Sequence, residues 1–105
     1  MNVYLAGPMT GLPLHNFPAF RAYAAALRAI GHSVFSPAER DLATGFDPAR
    51  SIEDQGFDMR AAWIDNLTAL QLVDAIALMP GWEDSDGAKL EQAIAGKLEL
   101  HEIKL

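Results

Sequence analysis

The chain contains no cysteine. That excludes disulfides, thiolate zinc sites and a cysteine nucleophile, so any chemistry must use oxygen or nitrogen. Positive charge is scarce too: eight Lys and Arg stand against fourteen Asp and Glu, for a net charge of −6. A surface of that sign repels phosphate backbones and anionic lipid, so neither polymeric nucleic acid nor a membrane is expected as partner. Any nucleotide partner should be small. No apolar run approaches the ~18 residues of a membrane span, and the amino terminus opens on a strand pattern without the basic flank of a signal peptide. A soluble, cytoplasmic protein is expected. His15, His32 and His101 share no spacing that would put two on one face of an element, and Asp84 and Asp86 lack the glycine and terminal glutamate of a calcium loop. The histidines are therefore expected at the surface, with no metal. Missing as well are the Walker phosphate loop, the nucleophile-elbow serine and the glycine triplet of dinucleotide folds, since the first loop reads Gly7-Pro8-Met9-Thr10-Gly11.

What is present fits one domain over residues 1–105. A hydrophobic share of 50% argues for a packed core and against disorder. Val3 to Ala6 is a short apolar run closed by Gly7-Pro8, as in a buried parallel strand. A loop follows from Gly7 to Phe17, with Asn16 as the expected cap of a helix carrying Phe20, Tyr23, Ala24, Leu27 and Ile30 and stopped by Gly31. Ser33 to Phe35 reads as a second strand. From Ser36 to Gly56 there is no apolar periodicity, so a long connection is expected, of the kind that is functional or mobile. Phe57 to Leu72 reads as a helix with Met59, Ala62, Trp63, Asn66, Leu67 and Leu70 near one stripe. Ala75 to Met79 is a third strand, and a helix from Ser85 or Asp86 carries Leu90, Ile94, Ala95 and Leu98. Leu100 to Leu105 alternates like an edge strand. This order predicts an α/β three-layer sandwich of the flavodoxin or Rossmann kind: about four parallel strands, helices on both faces, and a crevice over the first and third strands.

That crevice lies at the carboxyl ends of the strands, where Pro80-Gly81-Trp82-Glu83-Asp84-Ser85-Asp86-Gly87 leads to Glu91. Free amides and the helix dipole there favour a charged carboxylate, with a pKa low enough for nucleophilic work at neutral pH. Spacing alone favours a solvated glutamate that merely complements the dipole. Ser85 suits a helix cap, or a hydroxyl offered to a ligand phosphate or sugar. Asp65 interrupts an otherwise apolar helix and needs a partner if buried. Asp58 and Arg60 suit the start of that helix without a ligand. Tyr4 points to the opposite face from Leu5 and fits core or site equally, provided its phenol finds a partner.

Val3-Tyr4-Leu5-Ala6-Gly7-Pro8-Met9-Thr10-Gly11, Asn16-Phe17-Pro18-Ala19-Phe20 and Pro80 to Glu91 together resemble the small DUF4406 family within the nucleoside 2-deoxyribosyltransferase-like superfamily. The resemblance covers nearly the whole chain. It implies an N-glycosidase or 2-deoxyribosyltransferase, without cofactor, acting on a nucleoside or nucleotide as a homo-oligomer of two or more subunits. By the same resemblance Glu91 would attack the anomeric carbon, Tyr4 would orient Glu91, and Asp65 would protonate the leaving base, which requires a raised pKa, or bond the sugar. Ser85 and Gly87, with Gly7, Pro8, Met9, Gly11 and Phe17, would bind the substrate and hold the 5′ end of its sugar. The loop from Gly7 to Phe17 offers only Thr10 and His15 to a phosphate, which leaves a 5′-phosphate open. Two other classes remain: a nucleotide-binding module that turns nothing over, and a phage or prophage-type interaction protein that keeps only the fold.

Overall fold

A computed structural model describes all residues 1–105. Strands β1 (Asn2–Ala6), β2 (Ser33–Phe35), β3 (Ala75–Leu78) and β4 (His101–Lys104) form one parallel sheet in the order β2-β1-β3-β4. β1 and β3 are central and pair Val3 with Ala75, Tyr4 with Ile76, Leu5 with Ala77 and Ala6 with Leu78. Their side chains are buried on both faces, which explains why they read as continuous apolar runs without alternation. β4 is an edge strand whose His101, Glu102 and Lys104 remain exposed, a charged rim that discourages further pairing.

The period-two geometry of the strands divides the core into two layers. Val3, Leu5, Ala75 and Ala77 pack against Phe20, Ala24 and Leu27 of α1 (Phe17–Ala29). Tyr4, Ala6, Ile76 and Leu78 pack against Leu70 of α3 (Met59–Leu70) and Ala95 of α4 (Asp86–Lys97). This is the three-layer α/β sandwich that the alternation of elements predicts.

Three local expectations need correction. The stretch after β2 is not irregular throughout, because Pro37–Ala43 forms a helix, α2, and Glu53–Gln55 a single 3₁₀ turn. Ile30 is 73% exposed instead of lying on the buried stripe: α1 ends at Ala29, and Gly31 turns the chain away at φ +98°. Asn16 occupies the residue before α1 but does not cap it. Its Nδ2 donates to Pro8 O at 2.8 Å and ties the first loop together instead.

Candidate active site

Glu91 is positioned by a chain of local devices. β3 ends at Leu78, Gly81 takes a left-handed conformation at φ +88°, and a 3₁₀ turn over Trp82–Asp84 brings the chain to Ser85. Ser85 caps α4, its Oγ accepting from the amide of Ala88 at 3.2 Å. Glu91 then falls on the second turn of α4 and points into the protein, only 6% exposed. There it accepts a hydrogen bond from the hydroxyl of Tyr4, which is fully buried on the neighbouring central strand.

Burial, and not the helix dipole, sets the acidity of this carboxyl. Desolvation pushes the Glu91 pKa up to about 7, against the opposing effect of the Tyr4 hydrogen bond. The helix dipole does little to oppose this, because it acts mainly within the first turn and Glu91 lies beyond it. Burial and the adjacent Glu91 also raise the Tyr4 phenol, so it stays protonated and serves as a hydrogen-bond donor. A carboxyl that titrates near neutrality and is oriented by a fixed donor can work as nucleophile or as base.

Glu91 borders a cleft of about 410 Å³. Gly7, Pro8, Met9, Phe17, Ser85 and Gly87 border it as well. Gly7 has a steric reason to be glycine: a Cβ there would lie 2.7 Å from Sδ and 2.8 Å from Cβ of Met79. The ends of β1 and β3 approach one another through that gap. Gly11 does not line the cleft. It serves the turn instead, at φ +81° with open space around it.

Asp65 does not reach the cleft either. Its carboxylate is about half exposed and accepts from Nε of Arg40 at 2.8 Å, linking α3 to α2 on the outside. Its neighbour Asn66, about 100° round the helix, lines the cleft instead. Asn66 Oδ1 is buried and without a hydrogen-bond partner, the one such side-chain atom in the chain. Asn66 belongs to the stripe formed by Met59, Ala62 and Trp63, which at this end of α3 faces the cleft.

The remaining wall comes from the stretch after β2. Ser36 caps α2 with Pro37 in its first turn and Glu39 behind, so that Pro37, Ala38 and Asp41 form the buried face. Asp41 borders the cleft and is 8% exposed. Burial raises its pKa, opposed by Arg40 and His15. Phe46 and Phe57 meet edge to face at 5.0 Å, and Phe46 also packs on Phe17 and His15. His15 is not a surface histidine: it borders the cleft, and its Nε2 lies 2.9 Å from Arg50 O. It sits in a left-handed turn of three non-glycine residues, Leu14, His15 and Asn16, a conformation that costs roughly 1–2 kcal/mol per residue. Asp58, by contrast, caps α3 through Ala61 N at 3.0 Å, a structural role. No three His, Asp or Glu side chains converge to hold a metal ion, and no helix is long and apolar enough to cross a membrane.

Residues 1–104 match the family described as a domain of unknown function, DUF4406, and the chain belongs to that family. No curated protein matches it in sequence. Among solved structures it is similar to a 2-deoxyribosyltransferase from the psychrotolerant bacterium Bacillus psychrosaccharolyticus, with a TM-score of 0.70 and 21% identity over 99% of this chain and 71% of that one. That likeness shows a shared α/β fold.

Proposed function

We propose that this protein cleaves the N-glycosidic bond of a nucleoside through a covalent intermediate on Glu91, passing the sugar to water or to a second base. The observation that carries the reading is the buried Tyr4–Glu91 pair at the edge of the cleft, with the carboxyl titrating near neutrality. A Glu91 oxygen would bond the anomeric carbon as the carbon–nitrogen bond breaks and its electron pair leaves with the base. Tyr4 holds the attacking carboxylate in one orientation. The aromatic wall of Phe17, Phe46 and Phe57 suits the flat face of a base. Asn66 Oδ1 offers an unused acceptor to a sugar hydroxyl or an exocyclic amine. One finding outside the site adds support: a fold shared with a protein described as a 2-deoxyribosyltransferase suited to nucleoside synthesis.

The reading extends to the 5′ end of the sugar. Asp41, Asp84, Asp86 and Glu91 border the cleft, and no Lys or Arg does. An unphosphorylated nucleoside should therefore be preferred over its 5′-monophosphate by about tenfold or more. The test is release of free base, followed by chromatography, from deoxynucleosides, ribonucleosides and their monophosphates. Wild type should release base, and Glu91→Gln should lose at least about 10³-fold in rate. Release that continues unchanged in Glu91→Gln would remove the glutamate from the mechanism.

A further inference from the structure

Asp65 lies outside the cleft, so the group that protonates the departing base must be sought elsewhere. We propose that Asp41 is that general acid, an assignment that rests on the glycosidase reading of Glu91. Asp41 is one of two buried carboxyls bordering the cleft, the other being Glu91 itself. It comes from α2, which follows β2, whereas Glu91 comes from α4, which follows β3, and β1 lies between those strands. The two acids thus enter the cleft from opposite sides of Tyr4. They are not remote: the charge of Asp41 contributes to the raised pKa of Tyr4, the residue hydrogen-bonded to Glu91.

The carboxyl of Asp41 is held in place and keeps one oxygen free. Oδ1 accepts from Nη1 of Arg40 at 3.1 Å, while Arg40 turns its Nε to Asp65 at the shorter distance of 2.8 Å. Oδ2 makes no hydrogen bond to the protein. The charged and titratable groups around Asp41 are Arg40 on α2, His15 on the first loop and Tyr4 on β1, with Asp65 of α3 reached through Arg40, and Glu91 on α4 borders the same cleft. Arg40 and His15 favour its ionised form, but burial outweighs both. Arg40 thus divides its hydrogen bonds between Asp65 and Asp41.

The proton balance is closed. As the Glu91 oxygen bonds the anomeric carbon, the carbon–nitrogen pair moves onto the base, and Asp41 transfers its proton to a base nitrogen. The base leaves neutral, Asp41 is left as carboxylate, and it recovers a proton from the water or incoming base that resolves the ester.

A base that needs no proton to leave tests the assignment. Base release is compared at about pH 6.5 from 2′-deoxyguanosine and from 7-methyl-2′-deoxyguanosine, whose base is already cationic. Asp41→Asn should slow release from the unmodified nucleoside by ~10²–10⁴-fold and leave the methylated one within about threefold. Asp41→Ser provides a second variant should the first fail to fold, and the melting temperature of each reports folding. Glu91→Gln should abolish both reactions. Equal losses on the two substrates, or no loss on either, would overturn the acid role while leaving Glu91 standing. Wild type inert towards both would overturn the glycosidase reading and the role of Asp41 with it.

Discussion

The cleft has two walls that are built differently. One is formed by the ends of β1 and β3 and the start of α4, where Tyr4, Gly7, Ser85, Gly87 and Glu91 are fixed by strand pairing, a helix cap and a steric gap that admits only glycine. The other is formed by α2 and the connection to α3, where Asp41, Phe46 and Phe57 are held by aromatic packing and by side chains bonded to backbone. Gln55 alone makes four such bonds, receiving from Asp47 N and donating to Asp47 O, Arg50 O and Ser51 O. The first wall joins residues distant in sequence, Tyr4 to Glu91 and Gly7 to Met79, whereas the Gln55 hydrogen bonds of the second stay within residues 47–55 and its aromatic packing reaches back to His15 and Phe17. On the proposed reading, the nucleophile Glu91 lies on the side built from strand ends and a capped helix, and the base-recognising surface on the side built from loops.

Removing one aromatic should separate the walls most clearly. Phe46 is buried between Phe17, His15 and Phe57, and Phe46→Ala should destabilise the protein by about 3 kcal/mol. Urea unfolding measures the loss, and protease sensitivity should rise within residues 44–58 while β1 and α4 stay protected. Uniform sensitivity along the chain would show that the two walls are one cooperative unit.

Glu91 offers a break on the other side. Its carboxyl titrates near 7 when folded and near the ordinary 4.5 when unfolded. Between those values the unfolded chain binds fewer protons than the fold. Stability from this group is therefore complete below about pH 4.5 and declines as pH rises through 7, by on the order of 3 kcal/mol. Glu91→Gln cancels that decline. Its melting temperature should exceed that of wild type by several degrees at about pH 8, with much less difference at about pH 5. A wild type no less stable than the variant at the higher pH would mean that the carboxyl is hydrated and titrates like an exposed one. Gly7→Ala should cost about 2 kcal/mol, because the new methyl group meets Met79. Met79→Ala in the same background should restore part of the loss if the clash is the cause.

What was legible in the sequence follows the same division. β1 and β3 declare themselves as unbroken apolar runs because both faces are buried, and Ser85 and Gly87 mark the entry to α4. α2 escaped because apolar periodicity cannot register a buried face made of Pro37, Ala38 and Asp41. Its trace was the cap instead: Ser36-Pro37-Ala38-Glu39 carries the serine, proline and glutamate that start a helix. Asp65 stands out in the sequence as a carboxylate inside an apolar helix, whereas Asn66 lies on the stripe through Ala62 and Trp63 that faces the cleft. Phe46 and Phe57 had no local signature, since their partners lie on the first loop and on each other. Their role follows from tertiary contact, which spacing does not encode.

The two helix caps give the smallest and most controlled contrast, one for each wall. Ser85 Oγ accepts from Ala88 N at 3.2 Å, and Ser36 Oγ accepts from Glu39 N at 3.5 Å. Removing an N-cap serine costs about 1 kcal/mol where the bond is well made, and a bond at the limit of hydrogen-bonding distance contributes less. Ser85→Ala should therefore destabilise by about 1 kcal/mol and Ser36→Ala by roughly half that. Activity should separate them further. Ser85 borders the cleft and caps the helix that carries Glu91, so on the proposed reading its loss should lower the rate of base release; Ser36 borders no part of it. Should Ser36→Ala prove the more damaging to activity, the placement of Asp41 by α2 would matter more than the placement of Glu91 by α4, and the wall assigned to recognition would be the one that limits the chemistry.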